Sequence, residues 1–373
     1  MYYKSLYSRQ VSALGFGLLR LPAVEGYPDS VDLERSKILI DLAIRNGVNY
    51  FDTAYTYQNG ESERAAGEIL SAYPRESYHL ASKFYVARGL PIDQVFEEQL
   101  RRCKTEYFDF YLLHGVQEQY LSAYMSPEND YIGYLKKQQK AGRIRYIGFS
   151  SHMGPEALAQ FLDWYDDFDM ALIQLNYVDW TMLQAKKQYD LLTAHGIPIW
   201  VMEPMKGGRL STLDQDSASV LREAAPGQSI SSWGFRFLQG LPNVHTVLSG
   251  MSTLEQVQDN LKTFESCNPL SQEEMAVLEK AKQLFLSHLG VPCSACRYCC
   301  DTCPAGLDIP LLIRGYNEMN TSGEIWRVGM FSNTKNADAC IQCGVCSKRC
   351  PQKIDIPEVM RELGVKMNSY PAS

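Results

Sequence analysis

Three residues that can hold or move protons recur at one interval. Asp52, Lys83 and His114 stand 31 residues apart in turn, and each closes a short apolar run: "VNYFD" (48–52), "YHLASK" (78–83) and "FDFYLLH" (108–114). Tyr57 follows Asp52 by five residues. A phenol has an ordinary pKa of about 10 and gives up its proton reluctantly near neutrality. A neighbouring ammonium favours the phenolate, so Lys83 is expected to lower that value. Asp52 would hold the ammonium in place and keep it charged, and His114 could hydrogen-bond and orient a substrate oxygen. Such a set gives a proton to, or takes one from, an oxygen on a carbon that gains or loses hydride. Singly, each residue has a plainer role. A strand-end Asp caps helices, a lone Lys sits at the surface, a lone His packs, and Tyr57 is one of 23 tyrosines. Their placement on successive apolar runs is what points to one cleft.

A second chemistry is concentrated near the C-terminus. Of 11 cysteines only Cys103 and Cys267 precede residue 293. Cys293, Cys296, Cys299 and Cys303 before Pro304 read C-x2-C-x2-C-x3-C-P, and Cys340, Cys343, Cys346 and Cys350 before Pro351 repeat it. That is the run of bacterial two-cluster ferredoxins, in which the fourth cysteine ligates the other [4Fe–4S] cluster. One cluster is then expected on Cys293, Cys296, Cys299 and Cys350, the other on Cys340, Cys343, Cys346 and Cys303. Cys300 falls outside the spacing. Structural zinc would pair C-x2-C with a distant second pair and has no use for a third cysteine at x2. A disulfide framework is disfavoured, because the N-terminus shows no apolar leader with a cleavage site. Both runs end in "-DIP" (308–310 and 355–357), which makes the tail an internal duplication.

The elements that must position these groups follow from the apolar pattern. Runs at 11–16, 48–52, 78–83, 108–114, 145–150, 170–176, 197–203 and 244–250 each precede an amphipathic stretch. Strands alternating with helices imply a parallel sheet buried on both faces. Eight such units in about 250 residues fit a closed (β/α)8 TIM barrel, whose strand C-termini converge in one mouth. An open doubly wound sheet lacks its G-x-G-x-x-G after the first strand. The expected organisation is a barrel over 1–270, a linking helix over 271–289, and a small ferredoxin-like domain over 290–373. Within that last domain, 311–335 reads as part helix and part loop. A net charge of −7 argues against a nucleic-acid binder. No apolar run reaches the roughly 18 residues of a membrane helix, and a cytoplasmic location is expected.

Together "FDTAYTYQNGESE", "LASKF", "DFYLLH" and "RYIGFSSH" resemble the aldo-keto reductase family over residues 5–265. The resemblance implies a (β/α)8 barrel that reduces aldehydes and ketones with a nicotinamide cofactor. It carries the family's Asp-Tyr-Lys-His tetrad onto Asp52, Tyr57, Lys83 and His114, its spacing selecting Tyr57 over Tyr55. It places carboxamide contacts on Ser150, Ser151 and Gln174, with Ser-Ser where Ser-Asn is usual. The pyrophosphate loop maps onto "EPMKGGRL", hence Gly207, Gly208 and Leu210. The adenosine end maps onto "SGMSTLEQVQDN", hence Ser249, Gly250, Met251, Gln256 and Asn260. Met202 and Glu203 stand where many relatives stack an aromatic ring on the nicotinamide. The adenosine segment has no Lys or Arg for a 2′-phosphate, so no marked preference for NADPH over NADH is expected.

Arg20, in "GLLRLP", is a candidate for binding a carboxylate or phosphate on the substrate; a local acid is its alternative partner. The loop "GVQEQYLSAYMSPEND" after His114 carries tyrosines and Met125 that either shape a substrate pocket or pack at the surface. The leading expectation is an oxidoreductase interconverting a carbonyl and an alcohol, with two clusters relaying electrons or supporting the tail. Hydride carries two electrons and each cluster passes one. A flavin is the usual bridge, but no clear flavin motif is present. An electron-transfer enzyme working with a flavin or a partner protein, and a redox-sensing regulatory barrel, remain open alternatives. Anaerobically prepared protein should contain about eight irons and eight inorganic sulfides per chain. Cys300→Ser should keep that content and Cys299→Ser should lose part of it; zinc or half the iron on metal analysis would overturn the assignment.

Overall fold

Eight of the strands close into a barrel. The computed structural model describes residues 1–291, 293, 299–300, 302–322, 336–350 and 354–368. In chain order the strands are β1 (Tyr3–Leu6), β2 (Arg9–Ser12), β3 (Leu14–Gly17), β4 (Ala23–Val24), β5 (Tyr27–Val31), β6 (Tyr50–Asp52), β7 (His79–Phe84), β8 (Phe108–Val116), β9 (Ile144–Ser151), β10 (Met170–Gln174), β11 (Ile199–Met202) and β12 (Val244–Ser249). β3 and β6 through β12 pair in parallel, in chain order, and β12 returns to β3. β1 with β2 and β4 with β5 form separate antiparallel hairpins.

One expected strand is corrected. The apolar run at 11–16 is not a single strand. Its first part belongs to β2, in register with β1 from Tyr3↔Ser12 to Leu6↔Arg9, and only β3 enters the barrel. The chain breaks at Ala13, whose amide donates to Tyr2 O at 3.1 Å, while Ser12 Oγ donates to Leu14 O at 2.7 Å. The hairpin has a packing role. Leu6 and Val11 join Tyr50, Phe110, Leu112, Leu172 and Trp200 in one buried cluster. Tyr50 and Phe110 meet edge to face at 5.1 Å, and Phe110 and Trp200 lie 5.5 Å apart. Side chains alternate along a strand, so Tyr50 and Asp52 occupy successive inward layers.

The strands carrying Lys83 and His114 are tied by a buried acid. Asp109, fully buried on β8, accepts from Leu80 N of β7 (2.9 Å), Arg75 Nη2 (2.7 Å) and Arg145 Nη1 of β9 (2.5 Å), with His79 Nδ1 at 3.5 Å. Burial pushes its carboxyl up, but His79, Arg75 and the Leu80 amide outweigh burial and hold it below the usual range.

The chain forms two compact units. One comprises Met1–Pro204 and Ser231–Leu270, the other Met205–Ile230 and Ser271–Ser373. The stretch after β11 thus groups with the C-terminal part, which a single boundary at 270 does not show. In the second unit the helix Gln272–Leu289, close to the expected 271–289, starts on a capping box between Ser271 and Glu274. Helix Ile309–Ser322 covers the first part of 311–335, and 323–335 lies outside the described residues. The repeated "-DIP" proves to be a helix start. Asp308 Oδ1 accepts from Leu311 N and Asp355 Oδ1 from Glu358 N, at the heads of Ile309–Ser322 and Ile356–Asn368. Proline is tolerated there because the first helical amides have no partner to lose. Ile309 and Ile356 then enter a core with Leu312, Ile313, Met360, Leu363, Cys299 and Cys346. Among the described residues no helix is long and apolar enough to cross a membrane.

Replacing Asp109 by alanine should destabilise the barrel by about 3–5 kcal/mol, the usual cost of removing one partner of a buried ionic cluster. Because its folded pKa is depressed, this contribution is present above the unfolded carboxyl pKa of about 3.9 and fades as pH falls through the folded value. Urea midpoints of wild type and Asp109→Ala at neutral and acid pH should therefore converge at low pH.

Candidate active site

Two members of the tetrad expected from the sequence, Asp52 and Tyr57, meet the ammonium of a third, Lys83. Lys83, with no exposed surface, donates from Nζ to Asp52 Oδ1 (2.5 Å), Thr53 O (2.7 Å) and Tyr57 OH (3.3 Å). Asp52 ends β6 and pairs in register with Ala81, two residues before Lys83, so the lysine reaches back to meet it. Tyr57 is delivered by a turn in which Gln58, Asn59 and Gly60 all have positive φ (46°, 52° and 90°) before helix Glu61–Leu70 begins. Left-handed backbone at two successive non-glycine residues is costly and marks a position fixed by its surroundings. Tyr55 instead stacks with the Arg102 guanidinium 4.4 Å from its ring. Tyr57 is the tyrosine whose hydroxyl meets Lys83. His114 lies within β8, which runs on to Val116, and its ring meets that of Tyr57 edge to face at 5.8 Å.

Charge states follow from burial and pairing. Burial works against the Lys83 ammonium, but Asp52 and Tyr57 carry its pKa above the ordinary value. Burial also lifts Asp52, with Lys83 pulling the other way. For Tyr57 the expected lowering by Lys83 is present but is outweighed. Burial raises the phenol above 10, and Lys83 opposes that without cancelling it, while Glu203 adds to the rise. Tyr57 is therefore protonated at neutral pH. His114 is pushed well below 6.5, first by burial and then by the Lys83 charge, so its imidazole is neutral. Its Nδ1 is buried and has no hydrogen-bond partner among the described residues.

Among the supporting residues Glu63, Gln99, Tyr85 and His152 were not singled out from sequence, whereas Tyr120 and Tyr124 are the tyrosines of the loop after His114. Glu63, fully buried, accepts from Ser82 Oγ and Gln99 Nε2 (both 2.7 Å), and Gln99 Nε2 also reaches Lys83 O at 3.0 Å. The signal available was a Glu and a Gln on the apolar faces of two helices. Tyr124, in the loop after His114, donates to His114 O at 2.6 Å and accepts from Val86 N at 3.1 Å, so it braces the strand. Tyr85 flanks His114 with ring centres 5.4 Å apart, and Tyr120 packs on Tyr85 at 5.7 Å. His152 Nδ1 lies 3.1 Å from Gln174 Oε1.

The expected cofactor contacts fall into three groups. Ser150 and Ser151 on β9 neighbour β10, which ends at Gln174, with Ser151 opposite Ile173. Ser150 Oγ accepts from Gly115 N at 2.8 Å, Ser151 Oγ from Met153 N at 3.0 Å, and Gln174 Nε2 donates to Asp179 at 2.9 Å. Ser249, Gly250, Met251, Gln256 and Asn260 form a second group. Asn260 Nδ2 donates to Ser249 Oγ (3.0 Å), Gln256 Oε1 accepts from Ser252 N (2.7 Å), and Met251 is buried. Arg20 belongs with this group. Its carbonyl accepts from Ser252 Oγ at 2.6 Å, and a methyl added at Gly250 would meet its side-chain stem at 3.2 Å. Gly207, Gly208 and Leu210 lie in the second unit, the glycines at φ 68° and 100°.

Seven of the eight cysteines expected as ligands are described; Cys296 lies outside the described residues. Cys303, Cys340, Cys343 and Cys346 line one recess walled by Leu307, Ile309, Ile356 and Met360. This is the set expected from ligand crossing. Leu307 N donates to Cys303 Sγ at 3.4 Å. Cys293, Cys299 and Cys350 contact the same core, as does Cys300. No three metal-binding side chains among the described residues converge as one ion would require.

Comparison with known proteins agrees with the barrel and with a cluster-binding C-terminal part. The model of the Aldo/keto reductase family matches residues 13–283, and that of the 4Fe-4S dicluster domain matches residues 292–354. An uncharacterized oxidoreductase of Bacillus subtilis, YqkF, is 25% identical over 285 residues, covering 67% of this chain and 89% of that protein. The solved holo form of aldo-keto reductase AKR11C1 from Bacillus halodurans superimposes with a TM-score of 0.62 at 26% identity, covering 75% of this chain and 96% of that one. An aldo/keto reductase from Klebsiella pneumoniae, solved with NADP and acetate, shares the fold at 22% identity and a TM-score of 0.61, over 76% and 95% of the two chains.

The neutral state of His114 can be read directly. In 15N spectra of histidine-labelled protein its imidazole should stay neutral from pH 8 down to about pH 6, where an ordinary histidine is largely protonated. A titration step for His114 in that window, absent from His114→Gln, would contradict the burial argument.

Proposed function

The chain belongs to the aldo/keto reductase family, and from that premise we propose that it interconverts a small carbonyl compound and its alcohol by hydride transfer, with NADPH or NADH as hydride carrier and Tyr57 as proton donor. The observation that carries this reading is the convergence of Asp52, Thr53 O and Tyr57 OH on the buried Lys83 ammonium. The nicotinamide, when bound, supplies or accepts the hydride. The chain's residues manage the proton and the oxygen. Tyr57, protonated at rest, hydrogen-bonds the carbonyl oxygen and gives it a proton as negative charge builds there. Lys83 stabilises the phenolate that this leaves, and Asp52 keeps the lysine charged and aimed. Neutral His114 donates a hydrogen bond to the same oxygen and fixes which face of the carbonyl is presented. Alcohol oxidation runs the same proton path backwards.

The residues present suit such a cofactor. Ser150, Ser151 and Gln174 offer donors and acceptors for a carboxamide. The group around Ser249, Gly250, Met251, Gln256 and Asn260, with Arg20 beside it, is assigned the adenosine end, and Gly207, Gly208 and Leu210 the pyrophosphate. Gly208 has positive φ and open space where a side chain would stand, which leaves its backbone accessible to phosphate. Tyr85 and Tyr120 flank His114 and are assigned the substrate side of the site. In the second unit two [4Fe–4S] clusters are assigned to the two crossed cysteine sets; such clusters exchange single electrons.

Tyr57→Phe removes one oxygen and should leave cofactor affinity within about twofold. Turnover with simple aldehydes should fall by about 10²–10⁴-fold, the usual worth of a positioned acid. Wild-type turnover in that variant would remove Tyr57 from the mechanism.

A further inference from the structure

Within the second unit a lysine and a glutamate 112 residues apart meet in the dark. Lys206 Nζ donates to Glu318 Oε2, and their side chains are 0% and 1% exposed. Burying two charges is costly unless geometry and further hydrogen bonds compensate. Lys206 sits in a bend of unusual conformation: Lys206, Gly207 and Gly208 have φ of 47°, 68° and 100° in succession. The amides of Gly208 and Leu210 both donate to Met205 O, at 2.9 and 3.1 Å. A left-handed lysine persists only where its surroundings over-determine it. The buried ion pair is the visible constraint, since solvent would draw an unpaired ammonium outward and open the bend.

Glu318 is held from the other side by the cysteine-bearing core. It lies on helix Ile309–Ser322, which begins six residues after Cys303. Leu312, Ile313 and Met319 of that helix pack in one cluster with Cys299 and Cys346. Whatever orders those cysteines therefore orders the helix, and the helix orders the bend at Lys206.

We propose that Glu318 is a positioning residue for the nicotinamide cofactor, holding the Met205–Leu210 bend through Lys206 and thereby making cofactor affinity depend on assembled iron–sulfur clusters. This rests on the assignment of Gly207 and Gly208 to the cofactor's pyrophosphate. Coupling of this kind is reciprocal, so bound cofactor should also raise the equilibrium affinity for the clusters, read as a higher chelator concentration needed to remove half the iron.

The test uses full-length protein purified anaerobically, with iron and sulfide assayed on every sample. Cofactor Kd is measured by fluorescence titration with NADH and NADPH, and bend exposure by trypsin cleavage after Lys206 and Arg209. Glu318→Gln should keep its iron, weaken cofactor binding at least tenfold with kcat within about twofold, and speed cleavage at the bend. Wild-type protein stripped of its clusters should show the same loss, and stripping Glu318→Gln should add little. Full iron with wild-type Kd and cleavage in Glu318→Gln would overturn the proposal. Unchanged affinity in stripped wild type would overturn the dependence on clusters. If Glu318→Gln loses iron, the double variant K206M/E318L, which removes both charges, decides instead, with cleavage compared after Arg209 alone because the Lys206 site is gone: weakened binding and faster cleavage at Arg209 support the proposal, wild-type values overturn it. If wild-type protein binds neither nucleotide, the hydride-transfer reading fails, while the cleavage comparison still decides whether Glu318 holds the bend.

Discussion

A lysine ammonium removed from water must be paired, and at Lys83 that requirement organises the barrel mouth. Its partners are Asp52, the Thr53 carbonyl and Tyr57, drawn from the strand next to its own and the loop beyond. The same charge lowers the pKa of His114 and opposes the rise at Tyr57. Remove the ammonium and the acid, the phenol and the imidazole lose their common reference. The arrangement also explains why Tyr57 rests protonated. Its protonation reflects competition between a dry site, which favours the neutral phenol, and a cation, which favours the phenolate. The dry site wins.

Holding that geometry takes a second layer of buried polar groups in the barrel wall. Glu63 binds Ser82 and Gln99, and Gln99 fixes the carbonyl of Lys83 itself. Asp109 ties β7 and β9 to β8 near its start, and Tyr124 clasps the carbonyl of His114 further along it. Each is satisfied by several partners, as a buried polar group must be if it is not to destabilise its surroundings. The N-terminal hairpin meanwhile contributes Leu6 and Val11 to the aromatic floor of Tyr50, Phe110 and Trp200. A rigid floor and a hydrogen-bonded wall leave the mouth as the place where side chains can meet a ligand.

The second unit applies the same logic to a different chemistry. Its small core mixes cysteines with Leu307, Ile309, Met360 and Leu363, so apolar packing and the placement of those cysteines are one task. The two "-DIP" caps start the helices that carry this core. The Lys206–Glu318 pair shows that this unit includes a stretch lying between two barrel elements in the chain, which no single cut in the sequence can reproduce.

Much of this was legible in the chain. The 31-residue interval of Asp52, Lys83 and His114, the alternation of apolar runs and helical stretches, and the twice-repeated cysteine spacing are periodicities along the backbone. Periodicity along the backbone is what a sequence displays. Four matters were decided by tertiary structure alone: the split of the first apolar run into a hairpin strand and a barrel strand, the stacking of Tyr55 on Arg102, the net rise of the Tyr57 pKa, and the meeting of Lys206 with Glu318. Each depends on which distant segment returns to cover a residue, and so on burial and long-range pairing. Spacing sets which side chains can share a face; only the closed fold sets how dry that face is and what charge stands across it.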